Sequence, residues 1–171
     1  MTSKKIIAAI AILALTASVM APAMATSFAS WQKVTSGSVV PQNSQTTKLT
    51  LTAADIIPKH TSVLGGFAWI YSGGPNTAFA VTTHNGARDS NQNPNGWHAH
   101  NVLLAQGTGS SDACIAGVSD DTTAGISIQG NTLTVNERNS TFTGSLSGAP
   151  VAFSIQGDGG CSSGLGIKIN P

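Results

Sequence analysis

Alternation with a period of two runs through most of this chain beyond position 46, and few folds accept it. In "KLTLTA", Leu49, Leu51 and Ala53 fall on one face and threonines on the other. "GFAWIY" sets Phe67, Trp69 and Tyr71 against Ala68 and Ile70, and "TAFAVTTH" alternates through Phe79 and Val81. Successive side chains of a strand point to opposite faces, so this period marks strands, and no helical repeat of comparable length competes with it. "GISIQGNTLTVNE" reads as a hairpin that turns at Gly130-Asn131, and "PVAFSIQG" and "GLGIKIN" continue the pattern. Between the runs stand "SGGPN", "NPNG", "SDDTTAG" and "GDGG". These residues supply the positive φ angles and local side-chain bonds that tight turns need. The pattern predicts an all-β chain: a single antiparallel β-sandwich, Ig-like or jelly-roll-like, of about nine to eleven strands. The sandwich domain is placed at 46–171, with a polar N-terminal arm at 26–45.

The first residues differ in kind. "MTSKK" is basic, "IIAAIAILALTASVM" is apolar but short for a membrane span, and "APAMA" offers a small-x-small cleavage signal ending at Ala25. Residues 1–25 read as a secretory signal peptide, which implies a secreted or cell-surface protein; an uncleaved anchor is the alternative. Without Lys4 and Lys5, six Lys and Arg face seven Asp and Glu, a net charge of −1. Nucleic acid and anionic lipid both call for clustered cations, so partners are expected to be held by shape, hydrogen bonds or metal. After cleavage no stable membrane insertion is expected.

Only two cysteines are present, Cys114 and Cys161. In an exported protein the expectation is a disulfide, and neither cysteine has a base or cation nearby in sequence to activate a thiolate. All three methionines (Met1, Met20, Met24) lie in the signal, so only nitrogen and oxygen ligands remain for a metal. A sequon at Asn139-Ser140-Thr141 marks Asn139 as a glycan acceptor.

Three of the four histidines bracket one polar stretch, "HNGARDSNQNPNGWHAH", as His84, His98 and His100. If the strands ending at His84 and beginning near Trp97 pair as a hairpin, His98 and His100 share a face and His84 falls near them. Three neutral imidazoles suit copper or zinc, with Asp89 as the nearest carboxylate and Asn101 or Asp89 as partners that fix a ring tautomer. The leading expectation is therefore a non-enzymatic extracytoplasmic domain that binds copper or zinc through His84, His98, His100 and Asp89. Two other classes compete: an adhesive or filament-forming surface subunit without metal, and a metal-dependent oxidoreductase. The faces of this strand are ambiguous, because Val102 and Leu104 share parity with the histidines while Trp97, Ala99 and Leu103 occupy the other side. His60 reads as a solvated loop residue.

The pentapeptide "GWHAH" is similar to the Gly-aromatic-His-x-His strand of copper–zinc superoxide dismutases, secreted β-barrels with one disulfide. The resemblance covers those five residues. That family's further histidines follow the pair, whereas no histidine follows His100, so its zinc ligands have no counterpart here. A cupin would carry a glutamate where this chain has "NVLLAQ", and a blue-copper centre would need a cysteine ligand.

Overall fold

The computed structural model describes residues 27–72, 77–83, 96–121 and 124–170. The expected signal peptide, His84 and Asp89 lie outside the described residues. The eleven strands among the described residues are β1 (Val34–Pro41), β2 (Thr46–Ala53), β3 (Gly65–Ser72), β4 (Thr77–Thr83), β5 (Trp97–Gln106) and β6 (Ala113–Asp121), followed by β7 (Gly125–Gln129), β8 (Thr132–Arg138), β9 (Ser145–Leu146), β10 (Val151–Gly157) and β11 (Leu165–Asn170). The all-β reading holds, and the β7–β8 hairpin turns at Gly130, whose φ of 59° lies in the left-handed region that glycine enters readily.

Two sheets form. A four-stranded sheet has the order β1-β2-β8-β7. The segment expected as a polar arm thus supplies an edge strand, and Trp31 ahead of it is buried, its ring edge-on to Phe67 and Trp97 with centroids 5.7 Å away in each case. The larger sheet runs β10-β11-β6-β5-β4-β3-β9 and then pairs β10 back onto β3. Here the structure departs from a simple sandwich, because six antiparallel strands close into a barrel.

Closure depends on two glycines. Gly65 and Gly66 sit where β3 is flanked by β4 and β10 together. A Cβ on Gly66 would stand 2.0 Å from the Val81 carbonyl oxygen, and one on Gly65 would stand 2.3 Å from that of Phe153. Any larger residue would push a neighbouring strand away. A bulge helps from the other side: the β5–β6 register slips between Leu103 and Leu104, which bends and twists the sheet.

The chain consequently has two cores. The outer faces of β3, β4 and β5 carry Phe67, Trp69, Phe79, Val81 and Trp97, which pack on Leu49, Leu51, Leu133 and Val135 of the small sheet. A second cluster, including Ala68, Ala78, Ala80, Val102, Phe153 and Ile167, faces the inside of the barrel.

Candidate functional site

Strand parity decides what faces inward. On β5 the even positions from His98 to Leu104 line the interior, and the register sets His98 beside Thr82 and His100 beside Ala80 of β4. The hairpin expected from "TAFAVTTH" and "GWHAH" is therefore real. His98 and His100 point into a barrel and not onto an open sheet face.

That interior contains a cavity of about 400 Å³. Eight strands give a barrel about wide enough for side chains to fill, so six strands leave a void only where the inward residues are small. Ala68, Ala78, Ala80 and Ala113, from the neighbouring strands β3 and β4 and from β6, supply that room. Among the described lining residues Thr82, His98 and His100 are the only polar ones; the others are aliphatic apart from Phe153. The lining reaches solvent at Val118, Leu165 and Ile169, which are 53%, 42% and 38% exposed. β6 and β11 are joined by only two residue pairs, Ala113 with Ile167 and Cys114 with Gly166, and Val118 and Leu165 stand on the two strands of this short seam.

The polar corner is ordered by backbone. His98 Nδ1 lies 3.0 Å from the Gly96 carbonyl oxygen. A carbonyl only accepts, so Nδ1 carries the proton and the neutral ring keeps its lone pair on Nε2. Nε2 lies 3.3 Å from Thr82 Oγ1. The His100 ring meets that of His98 edge-on, with centroids 4.5 Å apart. Both histidines are buried.

The expected metal residues divide accordingly. His98 and His100 are brought together, and His84 and Asp89 fall outside the described residues. No group of three or more His, Cys, Asp or Glu suited to a metal occurs among the described residues. Asn101 does not serve the histidines, because odd β5 positions face outward: its Oδ1 accepts from the Tyr71 hydroxyl at 2.6 Å and its Nδ2 donates to the Thr141 carbonyl at 3.0 Å. The tautomer is fixed by Gly96 instead. Trp97 is a packing residue, stacked on Phe67 and donating from Nε1 to the Pro58 carbonyl at 2.9 Å. His60 is exposed, as expected.

The disulfide joins Cys114 to Cys161, as the sequence predicted. It ties β6 to the β10–β11 turn beside the two paired residues of the seam. A second fastening, not anticipated from sequence, lies next to it. One oxygen of Asp158 accepts the hydroxyls of Thr108, Ser110 and Ser111 at 2.6–2.7 Å, and the other accepts the Gly160 N–H at 2.9 Å. These donors hold the Asp158 carboxyl far below the usual carboxylate range, with Ser111 contributing most. Asn139 is half-buried; its Oδ1 accepts from Thr47 Oγ1 at 2.7 Å and its Nδ2 donates to the Asn43 carbonyl.

No protein-family model, curated protein or solved structure matches this chain.

Proposed function

We propose that the barrel is a binding site for a small apolar molecule whose single polar group meets Thr82, His98 and His100. The observation that carries this is the void itself. Cavities left in a core cost about 24 cal/mol per Å³. A space of about 400 Å³ therefore forgoes packing on the scale of the whole net stability of a domain, about 5–15 kcal/mol. Leucine or valine in place of the four alanines would recover much of it. A cavity of this size lies at the small end of the range for ligand pockets, roughly 300–1,000 Å³, and has their composition of apolar walls with a few convergent polar groups. At roughly 30 Å³ per non-hydrogen atom, by analogy with liquid water, it admits a ligand of about thirteen such atoms.

Fluorescence titration of the purified protein with 1-aminoanthracene tests the reading. Saturable one-to-one binding, competed by aliphatic molecules of about ten carbons, is the expected outcome. An unchanged emission spectrum at high protein concentration would remove the proposal.

A second reading retains copper or zinc. It is favoured by the two adjacent inward imidazoles and by the carbonyl that fixes the His98 tautomer, an arrangement common behind metal-bound histidines. Calorimetric titration with zinc and copper should then show binding that disappears in the His98→Ala, His100→Ala double variant. Equal heats from both proteins would dismiss it. The disulfide and the apolar N-terminal run support a secreted or cell-surface location for either activity.

A further inference from the structure

We infer that ligand enters and leaves the barrel through its side, between Val118 of β6 and Leu165 of β11; this rests on the barrel being the ligand site. The polar corner is closed to solvent, because Thr82, His98 and His100 are all buried. Five of the six seams between barrel strands carry four to eight residue pairs, whereas the β6–β11 seam carries two. The exposed residues among the described lining, Val118, Leu165 and Ile169, all stand on those two strands. The two flanks of the seam differ. On the Ile169 side Asp112 accepts the Ile169 N–H at 2.8 Å and Lys168 Nζ at 3.0 Å. Asp158 gathers Thr108, Ser110 and Ser111, and the disulfide holds Cys114. Each of these fastenings meets the chain at or before Cys114, and the β6–β11 ladder stops at the Cys114–Gly166 pair. β6 itself runs on to Asp121. A bulge marks the departure: Leu104 pairs with Ile115 and Leu103 with Gly117, so Ala116 is the extra residue. A bulge bends its strand, and the slip of one resets the parity, so Val118 follows Ala113 and Ile115 into the lining. Val118 and Leu165 therefore border the cavity beyond the last pair of the ladder, and both meet solvent. Both are aliphatic, so an apolar molecule crosses this rim without stripping water from a polar side chain there.

Exchange kinetics test the route. Stopped-flow mixing of purified full-length protein with 1-aminoanthracene gives the association rate, and dilution of the loaded protein gives the dissociation rate. An obstruction in the path raises the barrier to entry and exit alike and leaves the bound and free states as they were. Val118→Trp and Leu165→Trp each place a large ring at the rim, so each should slow both rates at least about fivefold while the dissociation constant changes less than about threefold. Ile169→Trp is the control: it enlarges the exposed lining residue on the fastened flank and should leave both rates within about twofold of native. Native rates in either Val118→Trp or Leu165→Trp, or equal slowing in Ile169→Trp, overturn the side entrance and leave the barrel as a ligand site. Faster dissociation with unchanged association in the rim variants would make Val118 and Leu165 walls of the cavity and overturns it equally. If the native protein fails to bind the probe, both readings fall. Should one rim variant not fold, the other decides.

Discussion

Substituting Ala78 by leucine asks the barrel whether its interior is vacant. Ala78 lies on β4 between Ile70 of β3 and Val102 of β5, is buried, and lines the cavity. Leucine adds three carbons. At about 0.8 kcal/mol per buried methylene they contribute about 2.4 kcal/mol if they enter open space. Freezing the leucine side chain costs about 0.5–1 kcal/mol. The net expectation is a stabilisation of about 1.5 kcal/mol, or about 5 °C in Tm for a domain of this size. The same leucine should weaken 1-aminoanthracene binding at least tenfold. The control is Ala99→Leu on β5, where Ala99 pairs with Val81, three positions along the register from Ala78. Ala99 is fully buried in the other core, between the barrel wall and the small sheet, and does not line the barrel cavity. Overpacking there should cost about 1–3 kcal/mol. Scanning calorimetry gives both numbers, and the two substitutions should move Tm in opposite directions. A fall of several degrees for Ala78→Leu, matching the control, would mean that the barrel is already packed, and the cavity argument would be refuted.

Three further outcomes follow from the fastening of the barrel. Replacing Cys114 and Cys161 by serine opens a crosslink spanning 47 positions, and chain entropy sets the loss at about 4 kcal/mol, measurable as a lower urea midpoint with an unchanged slope. Asp158→Asn should lower stability at neutral pH and flatten the acid limb of the stability curve. Because the folded carboxyl is held far below its ordinary value, its contribution is complete above about pH 4 and drains away as pH falls below that. Urea midpoints at about pH 7 and pH 3 should therefore differ less in the variant than in the native chain, and an equal difference would show that the hydroxyl cluster is not bound to an ionised group. Gly66→Ala forces a methyl against the Val81 carbonyl and should cost about 1–3 kcal/mol, with weakened ligand binding as the β3–β4 wall moves. A thermally unchanged Gly66→Ala protein would show that closure tolerates a wider spacing there.

Much of this was legible in the residues. The period of two marks β2, β3, β4, β7, β8, β10 and β11, and "GISIQGNTLTVNE" carries its own turn. With only Cys114 and Cys161 present, the crosslink follows from counting. The hairpin that sets His98 beside Thr82 was also foreseeable, because "TAFAVTT" and "WHAHNV" are neighbouring strands. Thr82 itself was overlooked, although its parity with Ala78 and Ala80 was available as a signal. The Asp158 cluster had no such signal: its three hydroxyl donors come from 47 to 50 positions away, across a loop contact that no local pattern encodes.

What the amino-acid order determined alone is that the chain makes strands, where they turn, and which two sulfurs join. Which face of each strand is interior was left to the tertiary structure. Alternation divides a strand into two sides, and in an open sandwich one of them is wet. Here β3, β4 and β5 are buried on both, with large rings toward the small sheet and alanines toward the barrel axis. Only closure of β10 onto β3 converts those alanines from weak packing residues into the walls of a cavity, and turns two histidines of one strand face into its polar end.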